Sequence, residues 1–311
     1  MSFSSRVKAE LSALPFENNE MMAAECYGML LFCGKFSPRE ILLKSESADA
    51  CRRFESLLCE LFSPIIERES DLKLSCKGRR LSRVSLPIPS ERTAICESLG
   101  HNNRDIKLRI NRANLGDEKL YAPFLRGAFL ACGSVTHPEK GYHLELNVAH
   151  KTLAENLVLL INEVEVFSVS PRITGRNHTY TVYIKGSENV CDFLAYIGAS
   201  DSVMEVINAS VVKEIRNSVN RRNNSDLANL RKVTEAAARQ SIAIRKIKKS
   251  KLYDELDDGL KQLAELRLEN PDMSLKELSE SLGISRSGVN HRLERIMKIA
   301  ESIREENDGK A

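Results

Sequence analysis

Apolar residues recur at helical spacing or alternate like β-strands through the first two-thirds of the chain. Helical spacing marks four segments: "ADACRRFESLLCELF" (48–62), "SERTAICESLG" (90–100), "AHKTLAENLVLLINEV" (149–164) and "SENVCDFLAYIG" (187–198), the last with Ser187 placed as its cap. Strand patterns mark five others: "ILLKSES", "LKLSC", "RVSLPI", "YHLELNV" and "TYTVYIKG". The order of helices and strands occurs twice, which predicts an α+β fold built from two similar halves.

Two further apolar segments contain small residues at helical spacing and open the two halves. They are "CYGMLLFCGKF" (26–36) and "LRGAFLACGSV" (125–135), with Gly28 and Gly127 separated by 99 residues. Ala48 and Ala149 are 101 residues apart, so nearly one offset relates the halves and indicates a duplication. Because small residues let helix backbones approach closely, we expect these two helices to cross at a pseudo-twofold axis. The alternative is two unrelated core helices that share glycines.

The segment that follows is strongly basic. Between residues 205 and 251, twelve Lys and Arg face four Asp and Glu, whereas the whole chain has a formal net charge of only +3. The pattern predicts two helices separated by "NRRNNSD", with Ser225 or Asp226 capping the second. Such a run either forms a solvated helix face or neutralises DNA phosphates. The candidates for phosphate contact are Arg221, Arg222, Arg231 and Lys232.

The last part of the chain has the pattern of a helix-turn-helix. A first helix from Leu260 to about Leu268 ends at "ENPD", and Ser274 with Glu277 forms a capping box for a second helix. That helix ends at Gly283, which can take the left-handed conformation of the turn. A third helix then has apolar residues at helical spacing: Val289, Leu293 and Ile296.

The other side of the third helix carries polar residues suited to DNA. In the major groove, Arg pairs with guanine and Asn with adenine, whereas Arg295 is better placed for a phosphate. We therefore expect DNA contacts from Ser285, Arg286, Ser287, Asn290, His291, Arg292 and Arg295. No nucleophile accompanies His291, so a catalytic role is not indicated. A three-helix module of this kind also serves protein contacts in some proteins.

Composition limits the remaining classes. The 311 residues are 42% hydrophobic, which indicates a folded protein of two or three domains. The charged N-terminus is unlike a secretory signal, and no segment approaches the ~20 apolar residues of a membrane span, so we expect a cytoplasmic protein. The eight cysteines form no CxxC pair, and neither a metal site nor a cofactor is indicated.

The two glycine-bearing segments resemble the motifs of LAGLIDADG homing endonucleases. In that family two pseudo-symmetric halves pack their motif helices above a DNA-binding β-saddle, and an acidic metal ligand precedes the second motif glycine. Here Cys33 and Cys132 occupy those positions. A thiolate is a soft ligand that matches Mg²⁺ poorly, so we expect a nuclease scaffold without catalysis. The cysteines are interpreted as apolar fillers, with a redox-sensing thiol pair as the alternative.

Over essentially its whole length the chain resembles the WhiA family of bacterial regulators. The segments that carry the resemblance are "KAELS", "NRRNNSDLANLRKVTEAAARQ" (220–240) and "AELRLENPDMSLKELSESLGISRSGVNHRLERI" (264–296). The resemblance implies a nucleoid-associated protein that binds double-stranded DNA and regulates transcription in cell division, chromosome segregation and, in some relatives, sporulation. Contact with RNA polymerase or a sigma factor is a further implication.

These observations predict a pseudo-twofold LAGLIDADG-like N-terminal domain followed by an all-α helix-turn-helix domain. The expected divisions are a first half over 1–115, a second half over 116–203, a basic linker helix over 204–225 and a DNA-binding domain over 226–311, with the helix-turn-helix at about 273–306. The expected function is non-catalytic DNA binding. The alternatives are a nuclease with displaced metal ligands and a factor that docks division or transcription proteins and binds DNA only secondarily.

Overall fold

Each half of the first two-thirds of the chain folds as helices packed against a small antiparallel sheet. The computed structural model describes residues 2–66, 81–102, 107–167, 169–176 and 179–308. The elements of the first half are α1 (Phe3–Ser12), α2 (Asn19–Phe32), β1 (Gly34–Ser37), β2 (Glu40–Ser45), α3 (Ala48–Leu61), β3 (Ser82–Ser85) and α4 (Pro89–Ser98). The three strands that the structure describes in this half pair in the order β1-β2-β3. The predicted strand "LKLSC" (72–76) lies outside the described residues.

The second half repeats this arrangement after short 3₁₀ turns at Arg112–Asn114 and Glu118–Leu120. Its elements are α5 (Tyr121–Cys132), β4 (Gly133–Val135), β5 (His143–Val148), α6 (Lys151–Glu163), β6 (Arg172–Arg176), β7 (Thr179–Lys185) and α7 (Ser187–Ile197). The strands are antiparallel in the order β4-β5-β7-β6. Along β5 the side chains of Leu144, Leu146 and Val148 are buried and alternate with exposed or partly exposed ones, as the sequence predicts.

The capping residue of α7 differs from the prediction. Gly186, with φ of 98°, precedes the helix, and Ser187 is already its first helical residue and makes no capping hydrogen bond. A positive φ favours glycine, so the backbone turn into α7 is made by Gly186. The predicted serine cap is therefore wrong here, whereas Ser47 does cap α3 by accepting a hydrogen bond from the Ala50 amide at 3.3 Å.

The motif helices α2 and α5 cross with almost no space between their backbones. A Cβ atom placed on Gly28 would lie 2.2 Å from the Phe124 carbonyl oxygen, and one placed on Gly127 would lie 2.1 Å from the Glu25 carbonyl oxygen. Phe124 and Glu25 each stand three residues before the glycine of their own helix, so the contact is reciprocal. This is the pseudo-twofold crossing that the duplicated motif predicts.

A buried ion pair joins the same helices to their surroundings. The Glu25 carboxylate is fully buried and accepts hydrogen bonds from Arg53 on α3, at 3.1 Å for the Nη2 contact, and from Arg126 on α5, at 3.3 Å. Arg53 also donates to the Leu14 carbonyl at 2.7 Å. Removing Glu25 would leave two arginines without their buried counter-charge, which is strongly destabilising.

The basic segment forms one helix, α8 (Ser200–Lys248), rather than the two helices predicted. No glycine or proline occurs between residues 199 and 258, so nothing breaks the helix at "NRRNNSD", and its polar side chains are exposed to water. Ser225 and Asp226 are therefore helical residues and not caps. The start of α8 is held by Glu10 of α1, which accepts hydrogen bonds from the amides of Asp201 at 2.7 Å and Ser202 at 3.1 Å.

The chain divides into two compact units, residues 1–214 and 215–311, and the division falls within α8. The second unit contains a 3₁₀ turn (Lys251–Tyr253) and the helices α9 (Asp258–Glu269), α10 (Leu275–Leu282) and α11 (Arg286–Asp308). Its core combines these helices with the last turns of α8, through Ile244 and Ile247. Within the described parts of the chain, no helix is both long and apolar enough to cross a membrane.

Candidate nucleic-acid interface

The helix-turn-helix formed by α10 and α11 has the caps and the turn that the sequence predicts. Ser274 and Glu277 form a complete capping box: the Ser274 hydroxyl accepts from the Glu277 amide at 3.3 Å, and the Glu277 carboxylate accepts from the Ser274 amide at 2.7 Å. Gly283 ends α10 with φ of 64°, a left-handed conformation. Ser285 then caps α11 by accepting from the Gly288 amide at 3.1 Å. The two helices of the motif therefore begin and end at fixed residues.

We expect Ser274→Ala to lower the free energy of unfolding of the second unit by about 1 kcal/mol, and Ser274→Gly by only a few tenths. The hydrogen bonds from Ser274 lower the pKa of Glu277. Because the pKa of Glu277 is lower in the folded state than in the unfolded state, its ionised carboxylate stabilises the fold at pH values above the ordinary glutamate pKa. This stabilisation is lost as the pH falls through the lowered pKa. Thermal denaturation of the full-length variants at neutral and acidic pH measures both effects. Equal stability of wild type and Ser274→Ala at neutral pH would contradict a structural role for the box.

A buried arginine holds the preceding turn, and the sequence analysis did not identify it. Arg267 on α9 is 2% exposed, and its guanidinium donates to the carbonyl oxygens of Met273 at 2.5 Å and Pro271 at 3.4 Å. Burial lowers the pKa of Arg267. These bonds fix the "ENPD" turn just before Ser274. The signal in the sequence was a charged residue among the apolar positions of α9.

The recognition helix α11 packs its apolar side into the core and leaves a polar side exposed. Val289, Leu293 and Ile296 are each at most 1% exposed. The side chains of Arg286, Ser287, Asn290, His291 and Arg295 are exposed, as predicted. Burial of the apolar stripe therefore sets the rotation of the helix and decides which residues face solvent.

Several of the predicted DNA-contacting residues already have partners within the second unit. Asn290 donates to the Glu294 carboxylate at 2.8 Å, and Arg295 pairs with Asp257 at 3.2 Å. Arg292 is only partly exposed, and its Nη1 lies 3.4 Å from the Gly259 carbonyl oxygen at the start of α9. The sequence predicts Arg292 on the exposed side of α11, and its exposure is only partial because α9 lies beside it. A contact of Arg292 with DNA stays a prediction. Arg286, Ser287 and His291 make no side-chain hydrogen bond among the residues that the structure describes.

Basic side chains are concentrated on one side of the part of α8 that belongs to the second unit. At about 100° per residue, seven of them fall within an arc of about 160°. They are Arg216, Arg221, Arg231, Lys232, Arg239, Arg245 and Lys246. Arg222 lies about 80° beyond this arc. The opposite side carries apolar residues such as Ile215 and Val233. Leu227, Glu235 and Ile242 also lie within the arc, so basic charge is enriched on this side without being confined to it.

Cys33 and Cys132 lie at the ends of the two crossing helices. The Cys33 thiol donates to the Lys35 carbonyl at 3.0 Å, and burial raises its pKa to about 12. Burial likewise raises the pKa of Cys132 to about 12, and the nearby Lys8 offsets this only in part. The seven cysteines that the structure describes are free thiols. No group of three or more His, Cys, Asp or Glu side chains in the described ranges is arranged to hold a metal ion.

We expect Cys33 and Cys132 to react at least about 10-fold more slowly with iodoacetamide at pH 8 than a free cysteine does, because only the thiolate is nucleophilic. Unfolding the protein removes the burial and restores ordinary reactivity, which serves as the internal control. Mass spectrometry of the alkylated peptides measures each site separately. Rapid alkylation of Cys33 and Cys132 in the folded protein would favour the redox-sensing alternative.

The fold and the site together define a class of protein in which a LAGLIDADG-like domain of two pseudo-symmetric halves is joined to a helix-turn-helix domain. Two family models match the chain: the WhiA LAGLIDADG-like domain over residues 121–216 and the WhiA C-terminal HTH domain over residues 219–300. The chain belongs to the WhiA family.

Relatives match this chain over almost its full length. It is 35% identical over 318 residues to the "Probable cell division protein WhiA" of Clostridium beijerinckii, covering 98% of this chain and 99% of the relative. The protein of the same name from Enterococcus faecalis is 33% identical over 319 residues, covering 99% of this chain and 100% of the relative. The crystal structure of full-length DUF199/WhiA from Thermatoga maritima is similar with a TM-score of 0.58 and 27% identity, covering 97% of this chain and 99% of that one.

Proposed function

We propose that this protein binds double-stranded DNA as a non-catalytic regulator of transcription and that α11 enters the major groove. One observation carries the proposal. The capped turn between α10 and α11 exposes Arg286, Ser287, Asn290 and His291 on one side of a helix whose other side is locked into the core. This is the arrangement that a helix-turn-helix uses to present side chains to base edges.

The exposed residues suit direct recognition of bases. Arg286 stands in the first turn of α11, where its guanidinium is free to make a bidentate contact with guanine. Asn290 suits adenine, but it must exchange its hydrogen bond with Glu294 for one with the base. Ser287 and His291 lie on the same exposed side and complete the surface. Arg292 contacts the Gly259 carbonyl oxygen at the start of α9 and so helps to hold α11 in place beneath this surface.

Phosphate contacts would come from residues whose present interactions are weak. The ion pair between Arg295 and Asp257 is exposed on both sides, at 62% and 54%, and such pairs contribute little. Arg295 is therefore available to a phosphate, as Ser285 is through its hydroxyl proton. Arg221, Arg231 and Lys232 on the basic side of α8, and Arg222 beside it, add affinity that is independent of sequence and weakens with salt.

The proposal excludes DNA cleavage by the first unit. The two cysteines stand where the LAGLIDADG motif places its acidic metal ligands, and thiols with raised pKa values are poor ligands for Mg²⁺. Incubation of the full-length protein with a bound duplex and Mg²⁺ or Mn²⁺ tests this directly. We expect intact DNA. Specific cleavage would overturn the non-catalytic assignment.

The cellular role follows from the relatives rather than from the site. Two of them are named as probable cell division proteins. We extend this role to the present chain, together with chromosome segregation, sporulation in relatives that form spores, and a cytoplasmic, nucleoid-associated location. RNA polymerase or a sigma factor is the protein partner proposed. A genome-wide crosslinking map tests the proposal: peaks at promoters of division genes support it, and an even distribution over the chromosome contradicts it.

The second candidate is a docking factor for the division or transcription machinery. The observation that favours it is the size of the first unit, residues 1–214, which folds around a core of its own. Affinity capture from cells with a variant that cannot bind DNA separates the two functions. Partners retained by such a variant would support docking, and partners lost together with DNA binding would support regulation at promoters.

A further inference from the structure

A cavity of about 590 Å³ lies in the first unit where the ends of α2 and α5 meet the two sheets. Both Cys33 and Cys132 line it, together with residues from β2, β4 and β5. Seven of the other lining residues carry a hydroxyl or amide group, namely Ser2, Ser4, Ser5, Ser45, Ser47, Ser134 and Asn147, and the apolar Phe32, Leu42, Leu81 and Ala131 also line it. A cavity of this volume is large enough for a small-molecule ligand, and its mixed lining suits a ligand that has both polar and apolar parts.

The charge around the cavity is predominantly positive. Lys8, Lys35 and Lys44 line it against a single carboxylate, that of Glu46. Lys35 is paired with Glu40 at 2.5 Å on the protein surface. Lys44 is exposed, and no ion pair is formed by it among the described residues. Lys8 and Lys44 therefore remain against the single carboxylate of Glu46, which leaves one positive charge in excess at the cavity.

The ammonium group of Lys8 is nearly buried in the cavity wall, where a bound anion would stabilise its charge. It is 9% exposed, and its Nζ donates to the Leu130 carbonyl at 3.0 Å. An ammonium has three donors, so two remain to be satisfied at the cavity. Burial lowers the pKa of Lys8, because the ammonium loses hydration there, and nearby groups such as Glu46 offset this only in part.

Two helices also begin at this cavity. Ser2 caps α1, and Ser4 and Ser5 belong to its first turn. Ser47 caps α3, the longer of the two at 14 residues, and Ser45 and Glu46 precede that cap. The amides at the start of a helix lack partners within the helix and carry partial positive charge, which favours anions. The first-turn amides thus add to the field of Lys8 and Lys44.

We propose that this cavity binds a small phosphate-bearing molecule of the nucleotide class. The lysines and helix starts recognise the phosphates, and the hydroxyl and amide groups leave room for a polar sugar or base. The phosphate of a DNA duplex has the same chemistry, but Lys8 lies within the wall of the cavity, where a small ligand reaches it more readily than a duplex backbone. The ligand would bind the first unit independently of DNA recognition by α11.

Isothermal titration calorimetry of the full-length protein with ATP tests the proposal, with pyrophosphate and uncharged adenosine as the other probes. We expect binding of ATP and pyrophosphate and none of adenosine. Lys44→Gln should weaken ATP binding at least 10-fold, and Lys8→Met should weaken it further. The matched control is Lys140→Gln, which removes the same charge at an exposed turn outside the cavity and should leave affinity unchanged.

Three results would overturn the proposal. One is an absence of ATP and pyrophosphate binding at millimolar concentration. Another is equal affinity of wild type and Lys44→Gln, which is an exposed substitution that should leave the fold intact even if Lys8→Met does not fold. The third is a loss of duplex binding in Lys44→Gln without any effect of ATP or pyrophosphate, which would assign the cavity to the DNA backbone.

Discussion

Replacing Arg286 and Asn290 together with alanine is expected to weaken specific DNA binding at least about 30-fold, with the fold unchanged. Each bidentate contact to a base contributes about 1–3 kcal/mol of discrimination, and about 1.4 kcal/mol corresponds to a factor of ten. Both side chains are exposed and outside the core of α11, so their removal creates no cavity. A mobility-shift titration with a duplex selected from a random pool by the wild-type protein measures the loss.

The matched control for this experiment is Arg52→Ala with Asn162→Ala. It removes the same residue types from exposed helix positions in the first unit. We expect the control to bind as wild type does, and circular dichroism should show the same helix content for both variants. Undiminished specific binding by the variant without Arg286 and Asn290 would show that these residues of α11 do not recognise the DNA bases. Arg292→Ala is less informative alone, because Arg292 also contacts the start of α9.

Gly28→Ala and Gly127→Ala are each expected to destabilise the first unit by about 2–3 kcal/mol or more, the cost of overpacking a tight site. Replacing a helical glycine by alanine usually stabilises a helix by about 1 kcal/mol, so the expected sign is opposite to the ordinary one. The added Cβ would meet a backbone carbonyl oxygen at 2.2 or 2.1 Å, and backbone cannot move aside as a flexible side chain can. Helices α2 and α5 would have to separate. Denaturant unfolding of the full-length variants measures the effect.

Gly141→Ala is the control for the crossing. A Cβ at Gly141 meets no atom within 4 Å, and its φ is not in the left-handed region. We expect that variant to unfold within about 0.5 kcal/mol of wild type, as ordinary surface substitutions do. If Gly28→Ala were equally harmless, the close contact between the two motif helices would not be a requirement of the fold.

Local features of the second unit could be predicted from the sequence because each depends on neighbouring residues. Ser274 and Glu277 satisfy each other across one turn, and Gly283 takes the one conformation that glycine favours. The stripe of Val289, Leu293 and Ile296 fixed which side of α11 is buried. The same kind of argument predicted a helix break at "NRRNNSD" that the structure does not have, because polar residues alone do not end a helix. The domain boundaries proposed at residues 115, 203 and 225 remain predictions.

Other features required the tertiary structure because they join residues far apart in the chain. Arg292 and Arg295 are directed to α9 by the packing of α9 against α11, and no local pattern shows it. Arg267 binds carbonyl groups of a turn whose path is set only when the second unit folds. Lys8, Lys44 and the starts of α1 and α3 meet at one cavity although separate elements supply them.

By itself the sequence determined the duplication, the close approach of two small-residue helices, and the helix-turn-helix with its polar face. These follow from periodicity, side-chain size and capping, all of which are properties of short segments. Only the tertiary structure decided which polar residues of α11 are free, and that the cysteines Cys33 and Cys132 border a basic cavity. The physical reason is that burial, ion pairing and cavity shape arise from contacts between distant segments, which the local pattern of residues does not specify.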